Sequence, residues 1–199
     1  MSLIRRLPLI PTLLVAAAVA TMIGLGIWQI ARAGEKKAML ARHTAAQGLP
    51  EIAFPTMPTK GELPLYRRAS GLCIRVVGWT ATAGADRKGE SGYSHFADCS
   101  TGAEGPGMVV DAGWSKDPNA RPNWTGGKVT GVIGPDRKAR IRLVSGEGLG
   151  GLQASAPPSP ASIPNNHLSY AVQWFFFAIA AAVIYVLALR KRLKDEDAK

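Results

Sequence analysis

Two charge-free apolar runs constrain this chain more than any other feature. Leu7 to Ile30 and Leu168 to Leu189 contain no Asp, Glu, Lys or Arg and are dominated by Leu, Ile, Val, Phe and Ala. At the helical rise, 24 and 22 residues extend about 36 and 33 Å, enough to cross a hydrocarbon core of about 30 Å. The runs predict two transmembrane helices, 7–30 and 168–189, with everything between them folding outside the bilayer. The first run admits a second reading. Arg5 and Arg6 form a short basic leader and "VAAAVA" supplies small residues for a cleavage site, as in a signal peptide. The run continues well past that site to Ile30, which favours an uncleaved anchor. Pro8 and Pro11 fall in its first turns, where a missing backbone donor costs least.

Charge orients the pair. "RKRLK" (Arg190 to Lys194) follows the second run, whereas its other flank, 157–167, has no Lys or Arg. The positive-inside rule then puts a basic tail (190–199) and the N-terminal residues 1–6 in the cytoplasm. Arg32, Lys36, Lys37 and Arg42 beyond the first run pull the other way, but the C-terminal asymmetry is cleaner. The net charge is +10; of this, +6 lies in residues 32–167 and +4 at the two ends, suited to anionic lipid heads. No basic stripe with interleaved aromatics is present, so nucleic acid is not an expected partner. The tail "KDEDAK" holds no output domain, which argues against a two-span sensor.

Between the runs the pattern changes twice. "ARAGEKKAMLARHTAAQ" continues the first helix to about Gln47, with Gly48 as its stop, and four prolines follow between Leu49 and Pro64. Residues 31–65 therefore read as a helix extension and a Pro-rich linker. From Tyr66 short strand patterns take over: 73–80, 93–99, 107–114, 127–134 and 139–144, separated by Gly, Pro, Asp and Asn at hairpin distances. No helical period interrupts them. Residues 66–145 are expected to form a small antiparallel β-domain, and the Gly-, Pro- and Ser-rich stretch 146–167 a loop back to the membrane. The fold class is a membrane protein of α+β type, with two transmembrane helices flanking that domain.

Cys73 and Cys99 are the chain's two cysteines. Cys73 opens one predicted strand and Cys99 closes the next, and antiparallel pairing brings those ends together. A disulfide is the first reading, in keeping with an outward-facing domain. Two buried thiols, or a redox or metal-delivery pair with help from His95, are the alternatives. Metal ligation ordinarily needs more donors nearby, and His95 reads first as a surface or core histidine. The chain carries no GxSxG, Walker A or HExxH motif and no convincing acid/base pair, so an enzyme is not expected.

Several stretches together resemble one family. "LGIWQIARAGEK" (Leu25–Lys36), "YRR" (Tyr66–Arg68) before the Gly78 strand, "VVDAGW" (Val109–Trp114), "GKVTGVI" (Gly127–Ile133) and "PNNHLSYAVQWF" (Pro164–Phe175) match, in order, motifs of the surfeit-locus (Surf-one type) cytochrome c oxidase assembly proteins. Ala112 departs from the Arg that members often carry before the Gly-Trp. The resemblance implies a non-catalytic assembly factor for a haem–copper oxidase. Such a factor supports placement of haem a in the large oxidase subunit, with haem a synthase as a further partner. It also implies the inner membrane of a bacterium, with the β-domain in the periplasm. The alternative is a scaffold that binds oxidase subunits through the β-domain and touches no haem.

His167 opens the second run. Tyr170, Ala171 and Trp174 follow at three, four and seven residues, so the four share one helical face. An imidazole with an aromatic wall and a small residue between them suits a porphyrin, and imidazole is a common axial ligand to haem iron. Tyr and Trp equally suit the interfacial aromatic belt, and a histidine at a helix start is equally suited to water. Trp28 and Gln29 lie at the same depth on the first helix. Gln29 can hydrogen-bond across the pair, and Trp28 can pack there or anchor. Arg32 can meet a haem propionate or a lipid phosphate. His43 and His95 are not expected to touch haem.

Overall fold

A computed structural model of the protein describes residues 8–57, 61–102 and 107–197. The expectations for residues 1–7, including the basic Arg5–Arg6 flank, lie outside these. The chain divides into two compact units: Met1–Met39 with Pro164–Lys199, and Leu40–Ile163.

The first unit is a pair of helices, the first of which runs on from Leu40 as part of the second unit. α1 runs from Leu9 to Ala46 and α2 from His167 to Asp197. Pro11 sits in the first turn of α1, where backbone donors have no intrahelical partner to lose. The helix passes Ile30 without a break, because the Ala-, Lys- and Leu-rich stretch that follows is strongly helix-forming. It closes in a tight turn, with Gln47 and Gly48 donating to the carbonyls of Thr44 and Ala45. Both helices are long and apolar enough to cross a membrane, and most of their large side chains (Ile23, Ile27, Val172, Ile179 and Ile184 among them) are exposed. That arrangement suits a lipid solvent, where no water drives apolar faces together.

The second unit is one seven-stranded sheet. Its strands are β1 (Ile52–Ala53), β2 (Arg68–Cys73), β3 (Arg75–Ala85), β4 (Ser91–Ser100), β5 (Met108–Ser115), β6 (Gly127–Asp136) and β7 (Arg140–Ser145), in the order β1-β2-β6-β7-β5-β4-β3. The expectation of a purely antiparallel domain is corrected here: β1 pairs with β2, and β5 with β7, in parallel. Hairpins account for β3–β4, β4–β5 and β6–β7, but the β6–β7 hairpin inserts between β2 and β5, so β7 meets β5 running the same way. Two strands escaped the sequence pattern. β1 comes from the Pro-rich segment, and β2 (RASGLC) shows no apolar alternation, burying Ala69 and Cys73.

Cys73 does not open a strand, as the pattern suggested; it closes β2. Ile74 then carries the chain straight into β3, at the opposite end of the strand order. The sheet must curl for this to happen. The Cys73–Cys99 disulfide, with Cα atoms 5.2 Å apart, ties β2 to β4 across the corner. Ile74 N donates to Ser100 O and Val76 N to Thr125 O, each at 2.9 Å. Inside the curl lie Phe54, Ala69, Ala97, Met108, Val110, Val129, Ile133, Ile141 and Leu143 with the two half-cystines.

The motif "YRR" has a structural use. Tyr66 is buried with φ 64°, a left-handed conformation that turns the chain into β2, and its N–H reaches Ile133 O at 2.7 Å. Arg67 Nε donates to Pro50 O at 3.0 Å, and Arg68 lies 3.9 Å from Glu51. The stretch 146–163 packs on the sheet. Gln153 bridges Trp114, and Ser155 bridges Asp86. Gly113, at φ 143°, is what lets Gln153 approach: a Cβ there would lie 2.4 Å from Gln153 O.

Candidate functional site

α1 and α2 run antiparallel and meet through a short series of side chains. In chain order from just before α2 these are Asn165 Nδ2 on Ala33 O at 3.5 Å, His167 Nδ1 on Gln29 Oε1 at 2.7 Å, Phe175 against Gly26, and the hydroxyls of Thr12 and Tyr185. A Cβ at Gly26 would stand 2.7 Å from Phe175 Cζ, so the Phe175 ring would have to shift to admit one. Gly26 and Ala33 on α1, and Ala171 and Ala178 on α2, are the buried small residues of the two helices.

His167 is the first residue of α2 and is half-buried. Gln29 presents a carbonyl oxygen, which can only accept, so Nδ1 of His167 carries the proton and donates it. In the neutral ring the lone pair then sits on Nε2. Of the residues singled out from sequence, His167 and Gln29 are brought together directly. Trp174 is half-buried and stands edge-on to Phe177, ring centres 6.4 Å apart. Tyr170 and Trp28 are half or more exposed, at 50% and 56%. Arg32 binds Glu35 on its own helix at 2.6 Å, both side chains in the open. The partners missed from sequence are Gly26, Phe175 and Asn165.

The β-domain has polar clusters of its own. Asp111 on β5 is 3% exposed and accepts from Ser155 Oγ at 2.7 Å. Arg142 Nε on β7 is 3.9 Å away, and the same guanidinium lies over the Phe96 ring at 4.8 Å. Burial outweighs these partners and pushes the Asp111 carboxyl up to about 6. His95 is buried and bonded through Nε2 to Ser115 Oγ at 2.8 Å. Ser115 gives its own proton to Asp117 O, so His95 is the donor; burial holds its pKa below the ordinary value. His95 is thus a satisfied core histidine. With Cys73 and Cys99 joined, no cluster of His, Cys, Asp and Glu among the described residues could hold a metal ion. An open cleft of about 480 Å³ is floored by the core residues Phe54 and Met108, with Lys128 at its rim.

The model of the SURF1 family matches residues 16–179, from within α1 to within α2. Comparison with curated proteins returns no match.

Proposed function

Because the chain belongs to the SURF1 family, whose members are cytochrome c oxidase assembly factors rather than catalysts, we propose that it takes up haem a at the helix pair and supports its placement in the large oxidase subunit. The observation that carries this reading is the His167–Gln29 hydrogen bond. It leaves Nε2, the nitrogen a haem iron needs, with a free lone pair at the end of a transmembrane helix. The donor set fits one axial ligand. Tyr170, Trp174 and Trp28 offer flat surface to a porphyrin, and the exposed apolar flanks of both helices suit an isoprenoid tail. Haem supplies redox chemistry only once it is in the oxidase; here the protein binds and orients.

In this reading both termini face the cytoplasm of a bacterium and the β-domain stands in the periplasm, where its disulfide would form. Haem a synthase is the natural supplier and the large oxidase subunit the recipient. A second reading has its own observation. Leu72, Ile74, Val77 and Trp79, on the corner where β2 passes into β3, are 58, 55, 60 and 37% exposed. Four exposed apolar side chains this close in sequence on a water-facing domain suit a scaffold that grips oxidase subunits and never touches haem.

The test is the visible spectrum of the protein purified from cells that make haem a. Wild type should carry haem, and His167→Ala should lose it with the helices and disulfide intact. His43→Ala is the control. His95 is a poorer one, since its replacement disturbs the β-domain core. Full haem with an unchanged spectrum in His167→Ala refutes ligation by this residue. A wild type that never acquires haem, while oxidase assembly still depends on it, favours the scaffold.

A further inference from the structure

We propose that Gln29 is a positioning residue, holding His167 in the Nδ1–H tautomer so that Nε2 is turned out to receive iron. The inference rests on the haem reading above and adds a second residue to it.

A first-turn side chain is poorly fixed by its own helix, because it has no preceding helical turn to lie against. Orientation must come from elsewhere, and Gln29 supplies it. It lies in the interior of α1, a continuous helix on both sides of it. The contact is bracketed. One turn outward Asn165 reaches Ala33 O, and one turn inward Phe175 seats on Gly26, so the registry of the two helices is set on either side of the bond. At 2.7 Å the bond is short for a neutral N–H and carbonyl. Such a bond removes the competing tautomer, in which Nε2 would carry the proton and could not bind metal. Partners of this kind, when removed, typically cost about 10- to 100-fold in metal affinity.

The experiment uses the full chain in detergent, free of haem and then titrated with ferric haem. Nitrogen-15 NMR of His167 should show the Nδ1–H tautomer in wild type. Gln29→Met, similar in length with no carbonyl, should release it into a mixture, and Gln29→Glu, which keeps an acceptor, should retain it. Ferric haem should bind Gln29→Met about tenfold or more weakly, with an altered Soret band, and Gln29→Glu near wild-type strength. Adding Gln29→Met to His167→Ala should cost nothing further. The same tautomer in wild type and Gln29→Met overturns the inference, as does a changed tautomer with unchanged haem affinity and spectrum. A wild type that takes up no ferric haem fails differently: the haem reading itself falls, and the inference with it.

Discussion

Asp111 should make the β-domain of this protein less stable as the pH rises from 4 to 7. Its carboxyl is 3% exposed, accepts from Ser155 and has Arg142 at 3.9 Å, too far for a hydrogen bond. Burial raises its pKa from 3.8 to about 6. The folded protein therefore holds this proton to higher pH than the unfolded chain does. Well below pH 3.8 both states are protonated and nothing is lost. Between 3.8 and about 6 the unfolded chain gives up the proton first, and stability falls with rising pH. Above about 6 the full cost stands, on the order of 3 kcal/mol at 1.36 kcal/mol per pKa unit. Asp111→Asn removes the titration but keeps an oxygen for Ser155. The quantity to measure is the stability of the variant minus that of wild type, from urea unfolding of the detergent-solubilised chain followed by near-ultraviolet dichroism of buried Trp114. The difference should grow by about 2.4 kcal/mol from pH 4 to pH 7 and then level off. His95, whose depressed pKa makes stability fall as pH drops below its ordinary value, is common to both proteins and cancels. A difference that stays constant across the range would falsify the account of Asp111 as a buried charge borne at a loss.

Intact mass should show Cys73 and Cys99 joined, and reduction should destabilise the domain by about 3.5 kcal/mol for a ring closed across 26 positions; two alkylatable thiols in unreduced native protein would contradict this. Gly26→Leu should push Phe175 off α1 and separate spin labels placed on the two helices, while Gly24→Leu, with open space around it, should not. Gly113→Ala should loosen residues 146–163, detected as new protease cleavage there, because its Cβ meets Gln153 O. Reporter fusions at Gln47 and Lys199 should report opposite sides of the membrane; the same side would sink the topology.

How much of the fold was legible followed from how local each signal is. The two helices were readable from composition because a bilayer selects on length and polarity alone. β4 to β7 were readable because their alternation and turn residues are local. β2 was not: RASGLC buries an Ala and a Cys and carries no period that a sequence window detects. The β-branched run from Ile74 to Val77 then drew the next strand back over the corner and hid the place where β2 ends. The parallel β5–β7 contact has no turn to announce it, since β6 intervenes in the chain. Asp111 was invisible for the same reason. In sequence it is one acid in a strand, and its partner Ser155 comes from a stretch that reads as loop.

The candidate site was half legible. His167 and Gln29 could be named from their types and depth, but pairing them needs the registry of two helices, which neither sequence states alone. Arg32 was pulled toward the site by its charge, although a closer partner, Glu35, stands three residues away on the same helix. The registry was nonetheless present as spacing. On α1, Gly26, Gln29 and Ala33 recur at three and four; on α2, His167, Ala171, Phe175 and Ala178 recur at four, four and three. Each is a single stripe of small residues carrying one polar group and, on α2, one large ring. In a membrane, such stripes are where helices approach, because close packing and polar pairing take the place of the hydrophobic effect. Antiparallel pairing of the stripes permits few alignments, and one of them satisfies both needs together: the ring falls on the glycine, and the imidazole falls on the amide. The glycine in "LGIWQ" and the histidine in "NNHLSY" then belong to one contact, since Phe175 seats on Gly26 one turn along α1 from the Gln29–His167 bond.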